Sequence, residues 1–234
     1  MARRGGGARL IVTRFFTDAP FEVGSLVALS EDERRHAKAR RLRNGSAVVL
    51  LDGRGRRGRG ELVDVSVQVH QVELDVGEDR RPVAILLAAA EPARVEWAIE
   101  KGTECGAASF TLFAAERSQA AHVRALTARL GRLRKISVEA VKQCDRSVVP
   151  PVLGVVSLEA ALRDAPRPLA VALPGGAEPS PGLRAVAIGP EGGFTPAEER
   201  LFAEGGASGI GLGRRVLRLE TAVVVALARL VDPA

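Results

Sequence analysis

The sequence is poor in the residues that build metal centres and membrane spans. It contains two cysteines and three histidines among 234 residues, with no Cys-x-x-Cys pattern and no histidine cluster, which disfavours a metal site. The longest apolar runs, VAILLAAA and AVVVALARL, are too short to cross a bilayer. The first ten residues, MARRGGGARL, have no apolar core, so we do not expect a signal peptide. We therefore expect a reduced, cytoplasmic location.

Aromatic residues are also scarce: they make up 3% of the chain, which has no tyrosine and one tryptophan. Lysine is rare as well, with four residues against 30 arginines, and the formal net charge is +6. Because the planar guanidinium group of arginine matches the geometry of phosphate, nucleic acid is the first partner to consider. With few aromatic side chains available, contacts would go mostly to the nucleic-acid backbone and shape and not to stacked bases.

The first third of the sequence is typical of a small β-barrel. The segments VGSLVALS, SAVVLLDG and ELVDVSVQVHQVELDV are rich in strand-forming residues and are separated by turn signals. One helix is expected over SEDERRHAKARRLR, where Ser30 can cap the helix and acidic residues occupy its first turn. The pattern of short strands ends at GEDRRP. We therefore predict one domain at residues 1–77 and a second at residues 78–234.

From residue 78 onward, apolar strand-like runs alternate with helices. VAILLAAA is a continuous apolar run of the kind found in strands buried on both faces. SFTLFAA, PLAVAL, RAVAIGP and SGIGL are further strand candidates. We expect helices near residues 93–105, 124–146, 196–204 and 219–231. This alternation predicts an α/β domain with a mostly parallel sheet.

The stretch GPEGGFTPAEE places two glycines beside a carboxylate, between a strand and a helix. Thr195 is a suitable N-cap, Pro196 suits the first helical position and Glu198 completes a capping box. The loop Gly189–Gly193 thus follows the carboxyl end of a strand, where open α/β sheets bind ligands. A simple connecting turn would need one glycine, so two glycines favour close contact with a ligand.

Two further strands are expected to end in glycine loops. One ends at Leu173 and opens into PGG, and the other ends near Leu212 and turns through Gly213 into the last helix. Three such loops could form one pocket from backbone groups, suited to a neutral or zwitterionic ligand with an adenine-like edge. Only 21 residues follow Gly213, so the GIGLG run does not fit a Rossmann-type dehydrogenase or methyltransferase.

Several polar residues could carry chemistry or could form solvated helix faces, and spacing alone leaves both interpretations open. Arg218 and Glu220 lie at the mouth of the proposed pocket. The helix near residues 132–147 aligns four polar residues at helical spacing, namely Lys135, Glu139, Gln143 and Arg146. Lys101 and Glu104 on the preceding helix raise the same question.

The first domain carries a dense basic surface. Six bases fall within ten residues, namely Arg34, Arg35, Lys38, Arg40, Arg41 and Arg43. The run GRGRRGRG adds four arginines in a segment that we predict to be a flexible loop. Together these bases indicate a phosphate-reading surface, although several can equally be solvated surface residues.

Motifs along almost the whole chain resemble the ribosomal RNA small-subunit methyltransferase E family, which methylates N3 of a uridine in 16S rRNA. The matching stretches occur in the family's order: RFF, HAKARRLR, LDG, EWAIEKGTECGA, EAVKQCDRSVVP, IGPEGGF and LGRRVLRLETA. The last two are highly specific together. Cys105 stands where leucine is usual in the family, and Cys144 stands where a small residue is usual.

The resemblance implies a PUA-like β-barrel for RNA, followed by a SPOUT-type α/β domain with a C-terminal trefoil knot. It also implies S-adenosylmethionine as the cofactor, the small ribosomal subunit as the partner, and a homodimer in which each subunit completes the other's site. Neither a metal nor a membrane is expected. The implied cofactor-binding residues are Leu173, Pro174, Gly175, Ile188, Gly189, Pro190, Glu191, Gly192, Gly193, Leu212, Gly213, Val216, Leu217 and Arg218. The implied RNA-binding residues are Arg14, His36, Arg40, Arg41, Arg43, Lys101, Gln143 and Arg146.

The expected reaction needs a base or a cation, because uridine N3 must lose its proton before it attacks a methyl group. Glu191 and Glu220 are both candidates for the base. Glu191 is the leading one, since the helix dipole makes Glu220 better suited as a structural acid. Arg218 is the candidate that stabilises the uridine anion. Two alternatives stay open: a related enzyme that methylates a ribose 2′-OH or a tRNA base, and a non-catalytic RNA-binding module in ribosome assembly.

Overall fold

The computed structural model describes residues 12–231, which divide into two compact units. The first unit contains the chain up to Val76 together with Arg146–Val148, and the second contains Gly77–Asp145 and the chain from Val149 onward. The run MARRGGGARL, which we expect not to be a signal peptide, lies outside the described residues. Within residues 12–231, every helix is too short or too polar to cross a membrane.

The first unit is a curled five-stranded sheet, a half-barrel of the PUA-like kind, with one helix. Its strands are ordered β1-β3-β4-β5-β2. They are β1 (Thr13–Phe16), β2 (Leu26–Ala28), β3 (Ala47–Leu51), β4 (Arg56–Val63) and β5 (Ser66–Leu74), and the helix is α1 (Glu31–Ala39). The predicted cap of α1 is confirmed, since Ser30 Oγ accepts the backbone N–H of Glu33 at 3.3 Å.

The second unit is a six-stranded parallel sheet in the order β11-β9-β10-β6-β7-β8. Its strands are β6 (Val83–Ala88), β7 (Ala107–Ala114), β8 (Val152–Ser157), β9 (Leu169–Ala177), β10 (Ala185–Ile188) and β11 (Ser208–Ile210). Its helices are α2 (Pro92–Glu104), α3 (Ala120–Ala128), α4 (Leu130–Cys144), α5 (Leu158–Asp164), α6 (Pro196–Glu204) and α7 (Leu219–Leu230). The predicted α/β class is confirmed.

Helices cover both faces of this sheet and create two cores. Every residue of β6 is buried, and alternate residues face opposite sides, as expected for a central parallel strand. Val83, Ile85 and Leu87 pack in one core with Ile99 of α2 and Leu227 of α7. The intervening residues of β6 pack in the other core with α5 and α6.

Some predicted elements differ from the structure. The single helix expected near residues 124–146 is two helices that meet at Arg129, because the break allows Leu126 of α3 and Leu133 of α4 to be buried in the same core. β8 and α5 were not predicted. They are six and seven residues long, too short for a clear hydrophobic period.

The prediction that β9 ends at Leu173 is wrong. The strand continues to Ala177, and its pairing with β11 jumps from Gly209–Val171 to Ile210–Ala177, so the residues between bulge out of the ladder. Gly176 approaches β11 so closely that a Cβ would lie 2.4 Å from the carbonyl carbon of Ile210. Only glycine permits this contact.

Replacing Gly176 with alanine should destabilise the second unit, because the new Cβ has to displace the backbone of β11. We expect a loss of about 1–3 kcal/mol in the free energy of unfolding, the range for overpacking, measured by urea or thermal unfolding. Gly131→Ala is the control, because a Cβ there meets nothing within 4 Å and alanine favours a helix. Equal midpoints for the two variants would contradict the close approach.

Candidate functional site

The carboxyl ends of four neighbouring strands lie side by side in the second unit's sheet, along the edge that is formed by the strand ends. β11, β9, β10 and β6 are adjacent and parallel, so the segments that follow them leave the sheet on the same side. The bulge of β9, the loop after β10 and the segment after β11 contain the predicted cofactor-binding residues, together with Ile188, the last residue of β10. The structure therefore places these residues at one edge.

The loop after β10 leaves the sheet at Ile188, which is buried, and turns tightly. Gly193 donates its backbone N–H to the carbonyl of Pro190 at 2.8 Å. Gly193 also has a φ of 69°, in the left-handed region that favours glycine. Glu191 and Gly192 are exposed at the tip of the turn.

Arg117 clamps this loop from the segment after β7. Its Nη1 donates to the carbonyl of Gly192 at 2.6 Å and to that of Phe194 at 3.2 Å. The Phe194 ring lies edge-on to Phe202 and fills the space under Gly189, where a Cβ would lie 3.0 Å from it. The tip is thus exposed while its base is fixed. Arg117 was not predicted from the sequence, because its partners lie about 75 residues away.

Glu198 makes a second link between the same two segments. The predicted capping box is confirmed: Thr195 Oγ1 accepts the N–H of Glu198, and Glu198 Oε2 accepts the N–H of Thr195 at 2.8 Å. The other oxygen, Oε1, accepts the backbone N–H of Glu116 at 2.8 Å. Glu198 is buried, so its charge is stabilised by these donors and by the start of α6.

The bulge of β9 presents Leu173, Pro174 and Gly175. Leu173 is partly buried against the core beside α5 and α6, whereas Pro174 and Gly175 are exposed. A Cβ built on Gly175 meets nothing within 4 Å. The backbone of the bulge therefore borders open space.

The segment after β11 combines anchored and exposed residues. Leu212 and Leu217 pack against the core on the α2 and α7 side, while Val216 between them is 90% exposed. A Cβ on Gly213 meets nothing within 4 Å. Arg218 is the exposed N-cap of α7 and caps it without a side-chain hydrogen bond.

Arg94, which the sequence did not single out, joins two of the candidate catalytic residues. It lies in the first turn of α2, and its Nε donates to Glu91 Oε2 at 3.1 Å. Its Nη1 lies 3.6 Å from Glu191 Oε1 and 3.9 Å from Glu220 Oε2. The hydrogen bond to Glu91, with the charges of Glu220 and Glu191, raises the pKa of Arg94. A permanent cation therefore faces both glutamates.

This edge fits S-adenosylmethionine. The positions of Gly175 and Gly213 are open beyond the backbone, so a flat ring can approach their N–H and carbonyl groups. The predicted residues could hold the cofactor mainly through the main chain, which explains the glycines.

In the first unit, the predicted RNA-binding residues lie on and after α1, except for Arg14 on β1. Arg40, Arg41 and Arg43 are exposed, and Arg14 and His36 are half-buried. His36 packs edge-on against the ring of Phe15, and its Nδ1 lies 3.3 Å from Oε2 of the buried Glu33. The His36 ring is thus held in a fixed orientation beside the basic residues.

The prediction of a flexible loop at GRGRRGRG is wrong for most of the run. β4 begins at Arg56, and Arg57 within this strand is buried. The Nε atoms of Arg57 and Arg59 lie 3.5 and 2.9 Å from Glu73 Oε2. Arg57 is therefore a structural residue, and Arg54 remains the exposed arginine of the preceding turn.

In the second unit, the predicted polar stripes of α2 and α4 face each other. They form a groove of about 360 Å³ with Ile136 and Ala140 among its lining residues. The charged and polar lining residues are Glu100, Glu104, Arg132, Lys135, Glu139 and Gln143. Lys101 donates to Glu100 and Glu104, each at 2.8 Å, and these bonds raise the pKa of Lys101.

Arg146 does not belong to this stripe, contrary to the prediction. α4 ends at Cys144 because Asp145 adopts a left-handed conformation with a φ of 70°. Arg146 is buried and clusters with the first unit. The helical spacing that suggested the stripe therefore stops two residues before it.

The part of the chain that the structure describes contains no group of three or more His, Cys, Asp or Glu residues placed to hold a metal ion. Cys105 and Cys144 do not form a disulfide. Burial raises the pKa of the Cys105 thiol, so its reactive thiolate form is disfavoured.

The chain is similar to known proteins over almost its whole length. Residues 77–231 match the family model of an RNA methyltransferase domain, and residues 29–70 match that of an RNA methyltransferase PUA domain. The chain is 31% identical to ribosomal RNA small subunit methyltransferase E of Mycobacterium bovis, over 93% of this chain and 90% of the relative. It is 29% identical to the protein of the same name from Bacillus subtilis, over 91% and 92%.

The fold is also similar to a crystal structure of ribosomal RNA small subunit methyltransferase E from Neisseria gonorrhoeae bound to S-adenosyl methionine. The TM-score is 0.85 at 26% identity, and the match covers 93% of this chain and 95% of that chain. The sequence motifs, the two matched domains and the glycine-lined edge of the parallel sheet all agree. The chain belongs to the ribosomal RNA small-subunit methyltransferase E family.

Proposed function

We propose that this chain transfers the methyl group of S-adenosylmethionine to N3 of a uridine in the 16S rRNA of the small ribosomal subunit. The observation that carries the proposal is the glycine-lined sheet edge, where three loop segments of a member of this family lie together. The relative from N. gonorrhoeae, which has the same fold, was crystallised with this cofactor.

The proposed cofactor-binding site consists of three segments: Leu173–Gly175, Ile188–Gly193 and Leu212–Arg218. When bound, the cofactor supplies an electrophilic methyl group, so the chain has mainly to position the reactants and exclude water. Leu212 and Leu217 anchor the third segment in the core, and Arg117 anchors the second. Their backbone groups are thereby held in fixed directions before any ligand arrives.

The proton of uridine N3 is the remaining chemical problem. Glu191 is our candidate for the base, because it is exposed at the tip of the glycine loop and can reach a ligand. Arg218 is exposed at the start of α7 and can stabilise the anion that forms. The Glu220 side chain is 15% exposed and faces Arg94, which supports a structural role for Glu220.

The RNA is proposed to contact the basic face of the first unit. Arg40, Arg41 and Arg43 are exposed there, and the half-buried Arg14 and His36 are proposed as further contacts. Lys101 and Gln143 in the second unit are proposed as further contacts. Arg146 is buried, so we do not propose that it contacts the RNA directly.

Three family features complete the proposal. The first is a homodimer whose subunits complete each other's sites. The second is a trefoil knot near the C-terminus, supported by the strand order: the chain passes from β10 to β11 beside β9, and α7 then returns to pack against β10 and β6. The third is a cytoplasmic location, because ribosomal RNA is the proposed substrate.

The central test is to incubate the protein with methyl-labelled S-adenosylmethionine and unmodified small subunits, and then to map the labelled nucleotide. Label on a uridine base in 16S rRNA supports the proposal. Nucleoside mass analysis that finds the methyl on a ribose, or label found only in tRNA, would replace the substrate. Cofactor binding absent from calorimetry would point to a non-catalytic RNA-binding module.

Gly192→Val should weaken cofactor binding by about tenfold or more, because a side chain then occupies the space beside the loop backbone. A Cβ added at position 192 would lie 3.3 Å from the side chain of Arg117, which holds this loop. Calorimetry with S-adenosylmethionine measures the effect, with a thermal melt to show that the variant folds. Gly154→Val is the matched control. Gly154 lies on β8, the outermost strand on the side of the sheet away from β11, so this variant should bind the cofactor with wild-type affinity. Unchanged affinity in folded Gly192→Val refutes the placement.

Arg218→Ala and Glu220→Gln should separate the two roles at the start of α7. The alanine variant should lose about two to three orders of magnitude in methyl-transfer rate, as when one stabilising group is removed from a developing anion, with its melting temperature nearly unchanged. The glutamine variant should mainly lose stability or dimerisation. Single-turnover rates and thermal unfolding measure both. A Glu220→Gln protein that is stable, dimeric and inactive, beside an active Arg218→Ala protein, would reverse the assignment.

Replacing Arg40, Arg41 and Arg43 together by glutamine should weaken RNA binding and flatten its salt dependence. Each lost phosphate contact should reduce the slope of log K against log salt by roughly 0.7–0.9. Cofactor affinity should stay the same. The control removes three exposed arginines of the second unit, Arg124, Arg163 and Arg200. If both triple variants have the wild-type slope, Arg40, Arg41 and Arg43 are solvated surface residues only.

A further inference from the structure

Arg94 occupies a position that helix electrostatics disfavours. It lies in the first turn of α2, where the helix dipole presents positive charge and acidic residues are preferred. The N-cap residue Glu91 does not cap α2 with its side chain; instead its carboxylate accepts the hydrogen bond from Arg94 Nε. Apart from this one hydrogen bond within the first turn, the position breaks a local rule, which indicates a function elsewhere.

The gain comes from two distant segments. Glu191 on the glycine loop and Glu220 in the first turn of α7 both approach the same nitrogen of Arg94, at 3.6 and 3.9 Å. A guanidinium has five N–H donors in one plane and can serve several carboxylates at once. Glu220 Oε2 is buried without a hydrogen-bond partner, so Arg94 is the cation that compensates its charge.

We propose that Arg94 is a positioning residue of the methyl-transfer site, which fixes the carboxylate of Glu191 relative to the start of α7. This inference rests on the proposed function, in which Glu191 handles the N3 proton and Arg218 precedes Glu220 by two residues. The guanidinium of Arg94 thus links the start of α2 to the loop after β10 and to the last helix. A displacement of a reacting group by about 1 Å can cost a hundredfold in rate.

An ordinary surface ion pair would have no such effect. Arg132 on α4 provides the comparison, because its Nε and Nη2 each donate to Glu96 of α2 at 2.8 Å. That pair has better hydrogen-bond geometry than any contact of Arg94 and also links two elements. The Arg132–Glu96 pair does not touch the glycine loop or α7. A substitution of Arg132 therefore controls for the loss of a guanidinium that pairs with a carboxylate.

The experiment compares Arg94→Gln, Arg94→Lys and Arg132→Gln in the full chain. Single-turnover methyl transfer to unmodified small subunits, calorimetry with S-adenosylmethionine and thermal unfolding are measured for each. We expect Arg94→Gln to lower the transfer rate by about tenfold to a hundredfold while the cofactor Kd changes much less. Arg94→Lys, which keeps the charge, should recover most of the rate. Arg132→Gln should transfer at the wild-type rate.

A double-mutant cycle keeps the result separate from the proposed function. Arg94→Gln and Glu220→Gln should be non-additive in thermal unfolding, because each removes the other's partner, and this holds whether or not the wild type is a methyltransferase. A wild type without methyl transfer refutes the proposed function alone. Additive effects in the cycle, or an Arg94→Gln rate equal to that of Arg132→Gln in an active wild type, overturn the role of Arg94.

Discussion

Parallel pairing of β10 between β9 and β6 is the constraint on which the site depends. Because the three strands run in the same direction, the segments that follow them are forced to one edge of the sheet. No side chain has to bring these segments together. Side chains such as Arg117 only fix loops that the sheet has already gathered, and they do so from positions far away in the sequence.

Two helices at this edge begin with a cation. Arg94 lies in the first turn of α2, and Arg218 is the N-cap of α7, although both positions are unfavourable for positive charge. The carboxylates of Glu191 and Glu220 compensate for Arg94, whereas Arg218 is exposed. The two cations therefore have different surroundings: Arg94 is half-buried and paired with carboxylates, whereas Arg218 is accessible to an anion.

The sequence predicted the elements whose signals are local. The capping box at Thr195, the buried strand β6 and the bounds of α6 all follow from neighbouring residues. Long-range contacts were not predictable: the link from Arg94 to Glu191 spans about 100 residues, and the bulge of β9 exists only because β11 lies beside it. Arg146 was misplaced because one left-handed residue, Asp145, ended a helix whose periodicity appeared to continue.

Glu198 serves two backbone donors with its two oxygens, one from Thr195 and one from Glu116. Glutamine has the same shape, but its NH₂ group would then face a backbone N–H, and a buried donor facing a donor is unsatisfied. Aspartate keeps the charge but is one methylene shorter, so it cannot span both donors. One side chain thus satisfies a backbone N–H at the start of α6 and another in the loop after β7. Neither glutamine nor aspartate can replace glutamate in both contacts.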